Sequence, residues 1–324
     1  MMKYRIIPFE KKMTDEALNL FRSAYQHEKR SSILLPDRAL NDKAWIKQAM
    51  LLTNCNMGVA ALAGDELVGY MLANFQFDFK GQQAIIIREY SHASLSKDKD
   101  LIYQLMYAYL GEELLSEGLN LHIIWHFAHD DILKETLFQF GFGAFMAGQL
   151  RDLSPLECNE KIHIFEEKDF MSVADLHVEQ AKYVLDSPIF IVKNTESAAI
   201  KESLKKYTEL GHTLMVYYEN KAPMAYFILG DCDENQEDFL LLNSGTVQIM
   251  YAYATPSARG KGIGKALLAK AIDWAREKKY KRLFVAHETA NIYGGNFWRK
   301  HFHPFLYCSM RYIDNKVSGL KDRR

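Results

Sequence analysis

The residues with the plainest chemical purpose are Arg259, Gly260, Lys261, Gly262, Ile263, Gly264 and Lys265, within the stretch ATPSARGKGIGKALL that runs from Ala254 to Leu268. Before them QIMYAYAT (248–255) alternates as a strand does, and Pro256 stops it. After them Leu267, Leu268, Ala271, Ile272 and Ala275 recur at helical spacing with Ile263. Glycines at a strand-to-helix turn do two things. The first N–H groups of the helix lack partners there, so the turn favours an anion. The missing side chains let a diphosphate approach the backbone closely. Spacing excludes two common nucleotide loops. A P-loop needs Ser or Thr where Ala266 stands, and a dinucleotide fingerprint needs glycine where Lys265 or Leu267 stands. What fits is R-x-x-G-x-G. Locally the chain is basic: nine Lys and Arg from Arg259 to Arg282 face only Asp273 and Glu277. Those beyond Lys265 have the alternative reading of a solvated helix face.

Positioning such a turn requires ordinary globular layers, and the composition supplies them. The 324 residues are 48% hydrophobic and 25% charged, enough for two domains of roughly 150 residues each. The formal net charge of -1 gives no general attraction to nucleic acid or anionic lipid. The opening MMKYRIIPFE is not a leader sequence, and no run approaches the ~18 apolar residues of a membrane span. Cys55, Cys158, Cys232 and Cys308 are scattered, as reduced thiols of a cytoplasmic protein would be.

The chain repeats a plan. LHIIWHFAHDD (121–131) and LFVAHET (283–289) both end in Ala-His-acid, about half the chain apart. Each follows a helix-period segment, 102–118 and 264–279, and precedes another, 132–143 and 293–304. Each half also opens with a strand, a helix and a hairpin, turning at Gly64-Asp65 in the first and Glu219-Asn220 in the second. So long a period implies two copies of a domain, 1–157 and 158–324, each an α/β (α+β) unit with a mixed, mostly antiparallel sheet and a later β-α-β.

With these features in place, the second half resembles the GNAT superfamily of acetyl-coenzyme A-dependent N-acetyltransferases. The resemblance rests on the R-x-x-G-x-G turn after a strand, and on LFVAHETAN followed by the aromatic Trp298 on a helix. The ending, RKHFHPFLYCSMRYID, resembles the family's last hairpin. The first half shares only the order of elements and FQFGFG (138–143). Its counterpart of the turn, SLSKDKDLIYQ (94–104), has no glycine and two acids, so the chain resembles a tandem GNAT protein with a degenerate first domain.

The resemblance implies acetyl-CoA as co-substrate, no metal, and direct attack of a primary amine on the thioester. It implies that Tyr253, Ala254 and Thr255 lend backbone groups to the pantetheine, that Arg259 to Lys265 hold the diphosphate, and that Asn291 and Trp298 flank the cofactor. Proton carriers follow less directly. No carboxylate lies between Thr246 and Ser257, so Glu288 is the nearest base, with a helix-capping or surface role as its alternative. Trp298 stands where the family places a proton-donating Tyr, and an indole N–H does not give up its proton at neutral pH. Tyr293 and Tyr307 are the substitutes, against the alternative of packing. His122, His126 and His129 do not share one strand face, which argues against a metal site. His287-Glu288 lacks the second His of a zincin helix, since Asn291 stands there.

The expectation is therefore an N-acetyltransferase acting on a small-molecule or peptide amine, with no nucleic-acid or membrane partner, as a monomer or homodimer. The alternative is a catalytically silent CoA-binding regulatory or scaffold protein. A nucleotide-binding enzyme is opposed by both spacing tests.

Overall fold

The computed structural model describes residues 3–232, 238–314, 316 and 317. The chain divides into two compact units, one of Met1–Ala147 with Pro304–Arg324, the other of Gly148–His303. Each is mixed α/β, built as the repeated plan predicts.

The first unit opens with β1 (Arg5–Pro8), the long helix α1 (Thr14–Ser31), and the short helices α2 (Arg38–Asn41) and α3 (Lys43–Leu51). Helix α1 presents Ala17, Leu18, Phe21 and Tyr25 inward, the i, i+4 stripe of an amphipathic helix. The hairpin of β2 (Gly58–Ala63) and β3 (Glu66–Leu72) turns where expected, with Gly64 at φ +64°, a conformation open to glycine. A second hairpin, β4 (Phe75–Phe79) and β5 (Gln82–Ile87), turns on Lys80-Gly81, both at positive φ as a tight I′ turn requires. Then come β6 (His92–Ser94), α4 (Lys99–Ser116), β7 (Leu121–Phe127), α5 (Asp131–Gln139) and β8 (Gly143–Arg151), whose last residues from Gly148 lie in the other unit. Strand β5 runs parallel to β7 and β6 pairs with β3. Helix α4 buries Ile102, Tyr103, Met106 and Leu110 in a core shared with Val59, Met71, Ile85 and Ile124.

The second unit holds β9 (Ile164–Glu167), α6 (Ala174–Asp186), α7 (Ser197–Glu209), β10 (Thr213–Glu219), β11 (Ala222–Asp231), β12 (Thr246–Ala254), α8 (Ile263–Glu277), β13 (Arg282–Glu288) and α9 (Ile292–His301). Its strand order is β9-β10-β11-β12-β13, antiparallel except for the β12–β13 pair. Helix α8 buries Ile263, Leu267, Leu268, Ala271, Ile272 and Ala275 against Val247, Ile249, Leu283 and Val285.

One expectation does not match this division. The last strand, β14 (His303–Tyr312), is a single ten-residue strand rather than a hairpin. From Pro304 onward it belongs to the first unit and pairs antiparallel with β7, Leu306 facing Phe127 and Tyr312 facing Leu121. Phe305, Leu306, Cys308 and Ser309 are buried in adjacent pairs, so the strand is covered on both faces and its sequence does not say which sheet it joins. The boundary expected at 157/158 therefore describes the chain less well than an insertion of Gly148–His303 into the first unit.

Candidate functional site

The glycine turn and the two strands flanking it build the site. Strand β12 pairs with β13 only at Thr246↔Arg282, Val247↔Leu283 and Gln248↔Phe284. Beyond Phe284, β13 continues to Glu288 without a partner in β12, which continues to Ala254. On its other side β12 slips register against β11 between Ile228 and Leu229, leaving Met250 as an extra residue. Such a bulge bends a strand and increases its twist. The two parallel strands therefore splay, and an open cleft of about 470 Å³ lies between them.

The floor of the cleft is Phe227, Ala252, Ala254, Leu267 and Trp298. Trp298 is 5% exposed and packs on Phe227, Phe297 and Phe302. It serves as an apolar wall and supplies no acid. Gly260 and Gly262 sit at φ +74° and +84°, and Gly262 is the N-cap of α8 without any side-chain cap. A left-handed residue at that point turns the chain into the helix while leaving the opening N–H groups to the cleft. A Cβ at Gly264 would only touch the Phe297 ring, at 3.4 Å. Lys265, Lys300 and His301 line the cleft too. The two ammonium groups and the helix dipole make one end of it a seat for a negatively charged group.

Arg259 closes over the turn. Its Nε donates to Ala254 O at 3.1 Å, and its guanidinium lies 4.9, 5.1 and 5.8 Å from the ring centres of Tyr183, Tyr293 and Tyr253. Asn291 caps α9, its Oδ1 accepting from Gly294 N–H at 2.9 Å and from the Tyr183 hydroxyl at 2.9 Å. Burial raises the pKa of both Tyr183 and Tyr253, so each keeps its proton near neutrality. Tyr253 donates to Glu179 Oε2 at 3.3 Å.

At the end of β13 the Glu288 carboxylate faces the cleft, 20% exposed, with Lys193 Nζ 3.6 Å from its Oε1. The preceding residue turns away from the cleft: His287 is buried, donates from Nδ1 to Glu288 O at 3.0 Å, and has its pKa lowered by burial.

Of the residues singled out by sequence, Tyr253, Ala254, Arg259, Gly260, Gly262, Ile263, Gly264, Lys265, Glu288, Asn291, Tyr293 and Trp298 all line this cleft. Thr255 and Lys261 do not. Thr255 Oγ1 bonds Ser257 Oγ at 3.1 Å, and Lys261 pairs with Glu219 at 3.8 Å. Tyr307 lies in the first unit, opposite His126 in the β7–β14 ladder, and lines no part of this cleft. Sequence reading missed Gln180, Tyr183 and Val184, which share one face of α6, and also Lys193, Lys300 and His301. The i, i+3, i+4 spacing on α6 marks a face, but no motif says that the face borders a cleft.

The first unit differs at the corresponding place. His92 on β6 fills the gap beside β7: Nε2 donates to Trp125 O at 2.8 Å, leaving Nδ1 to accept from Tyr103 OH at 2.9 Å. In place of a glycine turn, Asp98 precedes α4 and accepts from Tyr4 OH at 2.7 Å and from Lys3. His122 and His126 spend both ring nitrogens on Tyr107, Leu119, Ser309 and Phe127, and His129 bonds Glu28.

A parallel strand pair joined through a glycine-capped helix is the arrangement expected from the sequence. Residues 180–303 match the family described as Acetyltransferase (GNAT) family. Streptothricin acetyltransferase A of Bacillus subtilis (strain 168) is 30% identical over 114 residues, 33% of this chain and 62% of the relative. The chain thus spans less than two thirds of that relative. Among solved structures, a GCN5-related N-acetyltransferase from Sphaerobacter thermophilus superposes with a TM-score of 0.60 at 12% identity, covering 97% of this chain and 96% of that one. A GCN5-related glucosamine N-acetyltransferase region of a fungal multi-domain GH3 β-N-acetylglucosaminidase gives 0.52 at 12% identity, covering 95% and 38%. Both share the fold.

Proposed function

We propose that the second unit transfers the acetyl group of acetyl-CoA to a primary amine of a small molecule or peptide. The observation that carries this reading is the divergence of β12 and β13 directly beside the uncapped α8 N-terminus. The cleft fits the two ends of such a donor. Unpartnered N–H groups at Gly262–Gly264, with Lys265 and Lys300, suit a diphosphate. The apolar floor and the free edge of β12 suit a pantetheine arm.

When bound, the donor would supply an activated acyl carbon. This chain's residues do the rest. Glu288 accepts a proton from the incoming ammonium, and the edge of β12 with Asn291 and Tyr183 orients the reacting groups. Tyr183 or Tyr293, both lining the cleft and bearing hydroxyls, can return a proton to the departing sulfur, a role that Trp298 cannot fill. The name of the streptothricin relative supports acetyl as the acyl group. The four cysteines form no disulfide, which suits a reducing, cytoplasmic setting, and no described helix is long and apolar enough to cross a membrane.

The buried Trp298 favours a second reading, a protein that binds CoA without turnover. A thiol-release assay with acetyl-CoA and a panel of amines, polyamines, aminoglycosides, amino acids and peptides separates the two. Amine-dependent release supports the enzyme. Binding of acetyl-CoA by calorimetry with no release on any amine supports the silent protein.

A further inference from the structure

Lys193 lies in the segment between α6 and α7 that has no regular structure. Its neighbours Phe190 and Val192 are 74% and 69% exposed, yet the Lys193 side chain reaches Glu288. Its ammonium lies 3.6 Å from Glu288 Oε1, the carboxylate that faces the cleft where an acyl group would lie between the strands. Partly exposed pairs of this kind add little to stability, so stability does not account for holding a long side chain there. The lysines that line the cleft itself, Lys265 and Lys300, stand by the glycine turn and on α9 rather than on Glu288. Lys193 is a primary amine seated on the carboxylate that receives the acceptor's proton.

We propose that Lys193 is itself an acceptor, so that the second unit acetylates its own chain at Lys193 Nζ when no other amine occupies the site. This rests on the acetyl-transfer reading. Glu288 takes one proton from the ammonium, and the neutral nitrogen attacks the thioester carbonyl carbon. The C–N bond forms and the C–S bond breaks. The nitrogen's second proton is lost as the amide forms; one of the two protons goes to the CoA thiolate and the other to water. The products are Nζ-acetyl-lysine and CoA thiol. The modified side chain has no charge with which to hold Glu288, which is then left to an external ammonium.

Two measurements on the full chain test this. In the absence of acetyl-CoA, a water-soluble carbodiimide should join Glu288 to Lys193 as an isopeptide found by peptide mapping. Absence of that cross-link would show that the pair does not form and would overturn the proposal. With acetyl-CoA and no added amine, peptide mass mapping should find acetyl on Lys193 at least tenfold faster than on Lys47 and Lys205, which are also ion-paired surface lysines. The rate constant should not depend on protein concentration, and Glu288→Gln should lower it at least tenfold. Labelling of Lys193 no faster than of Lys47 and Lys205, or a rate constant that rises with protein concentration, refutes self-acetylation. If the protein acetylates an added amine while Lys193 stays bare, only this inference falls. If it neither binds acetyl-CoA nor acetylates any amine, the acetyl-transfer reading falls as well.

Discussion

Asn291 Oδ1 accepts two hydrogen bonds at once, from Tyr183 on α6 and from the Gly294 N–H that opens α9, each at 2.9 Å. One side-chain oxygen therefore ties the helix carrying much of the cleft wall to the helix that floors it. Asn291→Ala should cost about 1–2 kcal/mol in urea unfolding, the usual worth of an N-cap. Asn291→Asp keeps an acceptor and adds charge favourable at a helix start, so it should unfold near the wild-type midpoint. Equal losses in both variants would show that the cap is not what Asn291 provides.

The glycine turn makes a sharper prediction. Gly262 holds φ +84°, and a Cβ there would meet only Ile162 Cδ1, at 3.7 Å. Gly262→Asn, which tolerates left-handed backbone, should keep the fold and much of the CoA affinity. Gly262→Val should cost about 1–3 kcal/mol in strain and abolish CoA binding by calorimetry. Titration of the wild type should count one CoA per chain, because the first unit has Asp98 and no glycine turn before α4. A second site would overturn that reading.

Glu288 separates base from bystander. Glu288→Gln preserves shape and should lower amine acetylation about 10²–10⁴-fold, with CoA affinity little changed. Wild-type turnover in this variant on a confirmed amine would remove Glu288 from the proton route.

Acid should unfold this protein through its histidines. Burial lowers the pKa of His92, His122 and His126 in the first unit, and of His177 in the second, from 6.5 to about 4. Between those values the unfolded chain binds more protons than the folded one, so stability falls as pH drops from about 6.5 toward 4. Below that range the loss from these groups is complete. Urea midpoints at pH 7.5, 6, 5 and 4.5 should decline in that order, and His92→Gln should flatten the decline if its hydrogen bonds are retained. A midpoint constant from pH 7.5 to 4.5 would contradict this account.

The sequence revealed some of this and hid the rest for identifiable reasons. The turn at Gly260–Gly264 was readable because glycine spacing, a stopping Pro256 and the helical stripe from Ile263 are all local. Both early hairpins were readable from alternation about Gly64 and Asn220. The Glu288–Lys193 pair was not, since it depends on how a segment without regular structure folds back. Strand β14 was read as part of a last hairpin because residues 303–312 carry no local mark of the strand they pair with. Tyr307 followed that error. Trp298 lines the cleft, as its place after Asn291 suggested, while Tyr183, three positions beyond Gln180 on α6, carried no local mark of its place.

The pairing of β14 with β7 has a consequence for how the chain comes to life on the ribosome. His126 and Ser309, bonded across that ladder, are 183 residues apart in sequence. Gly148–His303, by contrast, is one continuous stretch and can close its own core as soon as it has emerged. The usual order, in which the part made first finishes first, is therefore reversed. The early half must wait with an unfilled place in its sheet, exposing the edge of β7, until synthesis passes Tyr312. During that interval it is the portion most open to chaperones, to proteases and to strands from neighbouring chains.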